Sequence, residues 1–186
     1  MCSGPAARCF LLRAEAYDKV GGFDNDFFAH MEEIDLCWRM QSAGYRIRAV
    51  PQSEVYHVGG SVILYGSTEK IYHNYRNNLI MLTKNLPAGR LCWMLPWRML
   101  LDLVSCLQLL LSGHPKDCKA VLKAHRYFLS TFGKHRRKRR HIVRKVPYRK
   151  LQGIYRKSIV FQFFVRGRKT YSELPGIDLP GREKEH

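Results

Sequence analysis

Phe27-Phe28-Ala29-His30-Met31-Glu32-Glu33-Ile34-Asp35-Leu36-Cys37-Trp38-Arg39 sets three carboxylates within four residues of an otherwise apolar and aromatic run. Crowding acids against Phe27, Phe28 and Trp38 disfavours their charged forms, by mutual repulsion and by partial desolvation. Both effects move a carboxyl toward the pKa range of a general base. The competing reading is a helix N-terminus, where Glu32 and Glu33 complement the macrodipole and Asp35 is solvated. The spacing of Met31, Ile34, Trp38 and Met40 predicts a helix over 30–43 with Gly44 as its stop. Neighbours on a helix diverge by about a quarter-turn, so at most one of Glu32 and Glu33 serves as a base. Asp35 stands four residues before Arg39, the spacing of a helical ion pair.

Working outward, residues 8–12 read as a short buried strand and 14–20 as a helix that Gly21 can stop in a left-handed conformation. Gly22 then opens a loop that carries Asp24. Downstream, 46–50 and 54–58 alternate like strands broken by Pro51, and His57 sits at a strand end before Gly59-Gly60-Ser61. From 68 to 86 the set Ile71, Tyr75, Leu79 and Leu82 recurs at helical spacing until Pro87 ends it.

The order of these blocks is specific. Gly21-Gly22-Phe23-Asp24, Phe27-Phe28, the acid cluster, Ala43-Gly44-Tyr45-Arg46-Ile47, Val55-Tyr56-His57-Val58-Gly59-Gly60-Ser61, Tyr75-Arg76-Asn77-Asn78-Leu79 and Lys84-Asn85-Leu86-Pro87 follow one another. Together they resemble the C-terminal half of the catalytic domain of family 2 glycosyltransferases, inverting enzymes of the GT-A fold that use nucleotide-activated sugars. The resemblance implies an α/β class, with a partial GT-A domain over 1–87. It implies Glu33 as the base, with Glu where the family motif has Asp, and Glu32 as the residue that orients the acceptor. Gly22 and Asp24 fall at the acceptor, Arg76 at the donor diphosphate, and His57 among the ligands of a Mg²⁺ or Mn²⁺ ion. In that family a nucleotide-binding βαβ half and an Asp-x-Asp motif come earlier than the point matched by Cys2-Ser3-Gly4. The expectation is therefore a truncated or split enzyme, retaining the acceptor side and working with a separately encoded N-terminal half. Its donor would be a nucleotide-sugar and its acceptor a cell-envelope glycan or a lipid-linked sugar. The alternative is an inactive remnant that acts as a basic membrane- or nucleic-acid-binding protein.

Composition bears on the partner. A formal charge of +17 and a pI near 9.9 predict attraction to phosphate-rich surfaces. Between 91 and 112 the polar residues Arg98, Asp102, Ser105, Gln108 and Ser112 form one narrow stripe on an apolar helix, which reads as interfacial, with Trp93 and Trp97 at headgroup level. A second amphipathic helix is expected over 116–132, with Cys118, Val121, Leu122, Phe128, Leu129 and Phe132 on its apolar side. The densest basic run, Lys134-His135-Arg136-Arg137-Lys138-Arg139-Arg140-His141, follows it and reads as a contact with an anionic membrane surface rather than with nucleic acid. Residues 88–145 thus form a membrane-interface region and 146–186 a basic, partly disordered tail. The six cysteines show no close metal-site or redox spacing and read as reduced, mostly buried thiols. With no leader pattern at Met1, the expected place is the cytoplasmic face of the membrane, peripherally bound.

Overall fold

The computed structural model describes residues 9–48, 50, 52–56, 66–155 and 157–175. They fall into two units, a larger one through Leu151 and a smaller one from Gln152 onward.

In the larger unit, α1 (Ala14–Lys19) and α2 (Glu32–Ser42) close over Ala16, Leu36 and Met40, with Leu12, Tyr17, Val20 and Tyr45 packed around them. After α1 the chain reverses through Gly21 and Gly22, whose φ angles are +81° and +62°. Only glycine fits the second position, because a Cβ there would meet the Tyr17 ring at 3.0 Å. Next, α3 (Thr68–Asn85) starts at Ser67, whose hydroxyl accepts the Lys70 N–H at 3.2 Å. Pro87 separates it from α4 (Ala88–Leu111), and Gly113 turns the chain into α5 (Pro115–Lys138). α3 packs along α5 and more lightly on α4, around Leu79, Ile80, Val121, Ala124 and Phe128. The expected helices all form. The strands expected over 8–12, 46–50 and 54–58 do not form among the described residues, where no ladder partner lies alongside them. His57, Gly59, Gly60 and Ser61 lie outside the described residues.

α4 is turned inside out relative to a soluble amphipathic helix. The first three residues of its polar stripe face protein, while Gln108 and Ser112 are exposed: Asp102, 1% exposed, pairs with Arg98 at 2.8 Å and with His125 of α5 at 3.0 Å, and Ser105 bonds the Tyr75 hydroxyl at 2.7 Å. The apolar remainder faces outward, with Trp93, Trp97, Leu103, Leu107 and Leu111 all about half exposed or more. A buried charge is tolerated only when paired, so the bundle satisfies Asp102 and leaves the leucines outside. By length and composition α4 could cross a membrane. On α5 the expected apolar side is split, since Val121 and Phe128 are buried while Leu122 and Leu129 are exposed.

A Cys106–Cys118 disulfide joins α4 to α5, which overturns the expectation of six reduced thiols. Nor are the described free cysteines mostly buried, because Cys9 and Cys92 are exposed. A separation of 12 residues carries no spacing signal; the helical hairpin alone brings the two together. α5 also runs beyond the expected end at 132, carrying the basic run into a helix and a 3-10 turn at Arg139–His141.

In the smaller unit, part of the tail is helical: α6 (Ile159–Phe164), capped by the Ser158 hydroxyl, is followed by a 3-10 turn at Tyr171–Glu173 with a Thr170/Glu173 capping box.

Candidate functional site

Immediately before the acid cluster, His30 and Met31 take φ angles of 68° and 72°. Two consecutive non-glycine residues in the left-handed region store strain and need outside support. Two neighbours on α3 supply it. Asn77, fully buried, donates through Nδ2 to the carbonyls of Ala29 at 2.7 Å and His30 at 2.8 Å. Arg76 donates through Nε to Asn77 Oδ1 at 2.8 Å and through Nη2 to the Asp26 carbonyl at 2.9 Å. Its guanidinium also lies over the Tyr72 and Tyr127 rings. Arg76, expected at the donor diphosphate, is therefore built into the support of the acid turn.

The turn places Glu32 and Glu33 in the first turn of α2. Burial raises the Glu32 carboxyl above its ordinary value; a hydrogen bond to its own backbone opposes this, while repulsion from Glu33 and a hydrogen bond with it add to the rise. The side chains thus meet despite diverging Cβ directions, because three rotatable bonds in each span the angle. Among the described residues, Glu32 Oε2, Glu33 Oε2, His30 Nε2 and His73 Nδ1 are buried without a hydrogen-bond partner. His30 is pushed down by burial and by Lys70, with Glu33 pulling it back up. Unsatisfied buried polar atoms are rare in folded proteins, and this group of them marks a place that a polar ligand can complete. Two carboxyls side by side can hold a bound hydroxyl, one orienting it and the other accepting its proton.

Behind the turn lies an ionic network. Asp35, fully buried, accepts from Arg39 Nε at 2.8 Å, Lys84 Nζ at 2.9 Å and Asn85 Nδ2 at 2.7 Å. This realises the expected i, i+4 pair with Arg39, whose remaining nitrogens hold the carbonyls of Val20 at 2.6 Å and Gly22 at 2.7 Å. Lys84 also reaches Asp24 at 2.6 Å, and Lys138 bridges Asp24 at 2.5 Å and Asp26 at 2.7 Å, with Lys134 on Asp26 at 2.5 Å. Burial works against ionisation of Asp24, but the bonds from Lys138 and Lys84 outweigh it and hold the carboxyl well below the usual carboxylate range. Both Asp24 oxygens are thus occupied within the chain, and the Gly22 carbonyl is occupied by Arg39. Part of the basic run is correspondingly drawn inward, while Arg136, Arg137 and Arg140 remain exposed.

The structure brings Glu32, Glu33 and His30 together and places Gly22, Asp24 and Arg76 in the scaffold that holds them. Sequence reasoning missed Asn77, Lys84, Lys138 and His30. The available signal was a run of polar residues at helical spacing, His73, Asn77 and Lys84, on the same helix as a regular apolar set. Among the described residues no group of three or more His, Cys, Asp or Glu side chains is arranged to hold a metal ion, and His57, the ligand expected for the divalent cation, lies outside them. No step below depends on it.

His135 gives a pH test of the network. Fully buried, it is pushed down to about 4 by burial, which outweighs the pull of Asp26. The unfolded chain takes up this proton near pH 6.5 and the native one only near 4, so stability falls as pH drops through that window. His30 and His73, also lowered, add in the same direction. Urea titrations at stepped pH should show this slope, and His135→Gln should reduce it; an unchanged slope would remove His135 as a source.

No protein-family model and no solved structure matches the chain. A 49-residue segment, 26% of the chain, is 45% identical to N-acetylglucosaminyl-diphospho-decaprenol L-rhamnosyltransferase of Mycobacterium tuberculosis, and covers 16% of that protein. Another, of 52 residues and 28% of the chain, is 38% identical to rhamnosyltransferase WbbL of Escherichia coli K12 and covers 20% of it. The chain thus matches a fifth or less of these curated relatives' length. The similarity is to glycosyltransferases, over short segments.

Proposed function

We propose that this chain provides the acceptor side and the base of an inverting, nucleotide-sugar-dependent glycosyltransferase of the GT-A type. Its acceptor is a lipid-linked cell-envelope glycan, met at the cytoplasmic face of a membrane. The observation that carries this reading is the strained His30-Met31 turn, held by Asn77, which presents two coupled carboxylates with buried, unpartnered oxygens. Strain of this kind persists where surrounding structure enforces it, and it concentrates at working sites. The names of the matched relatives, both rhamnosyltransferases, support a transferred 6-deoxyhexose and, from the mycobacterial one, a diphosphate-linked polyprenol acceptor. The outward apolar face of α4 supports a position at the lipid surface.

In this mechanism Glu33 takes the proton of the acceptor hydroxyl as its oxygen attacks the anomeric carbon. The bond to the nucleotide diphosphate breaks on the opposite face, and the diphosphate leaves with the electron pair. Glu32, beside it in the first turn of α2, orients the hydroxyl. Positioned bases of this kind contribute about a hundred- to ten-thousandfold.

The test is a chimera in which the donor-binding half of the E. coli rhamnosyltransferase precedes this whole chain. The chimera should transfer sugar from a nucleotide-rhamnose to a diphospho-polyprenol-linked saccharide. The 186-residue chain alone should hydrolyse no UDP-, GDP- or TDP-sugar and should show no saturable, Mn²⁺-dependent binding of one at physiological salt. A folded, donor-binding chimera without transfer would sink the reading, as would catalysis that survives loss of both glutamates.

A further inference from the structure

A second site lies where the ends of α2 and α3 meet the start of α4. A cavity of about 350 Å³ opens there, with Arg139, Arg144 and Lys145 in its lining and not one acidic residue. The two arginines do have structural work. Arg139 Nη1 donates to the carbonyls of Thr83 at 3.1 Å and Leu86, and Arg144 Nη2 to that of Lys84 at 2.8 Å, satisfying the C-terminal turn of α3. Arg144 Nη1 is also committed, to the carbonyls of Arg139 at 2.9 Å and Ile142 at 3.5 Å, so of the five N–H donors on each guanidinium about two remain on Arg144 and three on Arg139. Arg139 is half-buried, yet its Nε and Nη2 have no partner among the described residues and are not sealed from solvent. No carboxylate among the described residues pairs with either arginine, although the ionic network a few residues away absorbs Lys84, Lys134 and Lys138. Burial pushes both guanidiniums down, Arg139 pushes Arg144 down further, and Cys92 pulls Arg139 part of the way back.

Two further features agree with an anionic occupant. Pro87 and Ala88 in the lining are the N-cap and first residue of a 24-residue helix that has no side-chain cap, so free N–H groups and the positive end of the helix border the cavity. Asn85, 5% exposed, also lines it, and its Oδ1 is buried without a partner. Its amide nitrogen is fixed on Asp35 at 2.7 Å and on the Met81 carbonyl at 3.0 Å, so the free atom is an acceptor. A ligand with both anionic oxygens and an O–H suits this arrangement, as a phosphate or diphosphate that retains one proton does.

We propose that this cavity is a binding site for a phosphate or diphosphate group, gripped by Arg139, Arg144 and Lys145 with its hydroxyl on Asn85. The site does not require the acid turn to be catalytic. The same chemistry can come from a lipid headgroup or from a soluble diphosphate.

The experiment is calorimetry with inorganic pyrophosphate on the full chain at physiological salt. One saturable site is expected. Arg139→Gln/Arg144→Gln should weaken it at least tenfold, whereas Arg136→Gln/Arg137→Gln, which removes the same charge from the exposed face of the basic run, should change it less than twofold. Equal weakening by both pairs would show attraction to net charge alone and overturn the site. Because loss of the arginines also uncaps α3, proton–nitrogen NMR of the unmutated chain provides a reading free of folding effects. Pyrophosphate should shift the Arg139 and Arg144 Nε–H and Lys145 amide signals ahead of those of Arg136 and Arg137, and the reverse would overturn the proposal. Vesicles with phosphatidic acid that displace pyrophosphate would identify a headgroup as occupant; vesicles that leave it bound would assign the site to a soluble phosphate.

Discussion

Glu33→Gln, made in the chimera with a donor-binding half, is expected to lower turnover at least about a hundredfold with little change in donor affinity. Gln keeps the length and shape of the side chain and removes only its capacity to accept a proton. Glu32→Gln should do less, because Glu32 is the member of the pair whose carboxyl burial pushes toward the neutral form, and an amide imitates a neutral carboxyl well. It should also stabilise the fold at neutral pH and have little effect in acid. Below its ordinary value of 4.5 the Glu32 carboxyl is neutral in both folded and unfolded chains, and the penalty for charging it where it is buried grows as pH rises through its higher native value. Parallel turnover and melting measurements on the two variants separate these roles. Near-normal turnover in Glu33→Gln would move the base elsewhere, and a larger loss in Glu32→Gln would exchange the two assignments.

The largest effect on stability is expected at Asp35. Its carboxylate is sealed from solvent and satisfies Arg39, Lys84 and Asn85, each buried. Asp35→Ala leaves buried Arg39 without an anion and Lys84 with Asp24 alone, and breaking buried pairs in this way costs about 3–5 kcal/mol. Whole domains are stable by only about 5–15 kcal/mol, so the variant should lie close to unfolding at room temperature. Urea denaturation followed by circular dichroism measures it directly. A loss below about 1 kcal/mol would mean that water reaches the network and that Asp24 alone suffices to hold Lys84. The effect should also reach the acid turn, since Lys84 ties Asp35 to Asp24 and Arg39 holds the Gly22 carbonyl.

Much of the helical layout was legible in the residues. Gly21, Gly44 and Pro87 mark ends that local sterics enforce, and the Asp35–Arg39 pair follows from the pitch of a helix. The acid cluster was legible as well, because three carboxylates beside Phe27, Phe28 and Trp38 are a local fact. Which oxygens lack partners was not. That depends on Asn77, which is far along the chain and acts on backbone carbonyls, and such bonds leave no trace in side-chain spacing. The basic run shows the same division. Its charge was evident from composition, but a helix distributes eight consecutive residues around its circumference, so Lys138 meets Asp24 and Asp26 while Arg136 and Arg137 face solvent. Likewise the narrow polar stripe of α4 was visible, yet its direction rested on whether α5 would offer His125 to Asp102. By itself the sequence determined the helix ends at Gly21, Gly44 and Pro87 and how much charge each helix carries, since these follow from short-range sterics and composition. Only the tertiary structure decided which charges neutralise one another and which, like Arg139 and Arg144, stay unpaired, because electrostatic partners are chosen by distance in space and not along the chain.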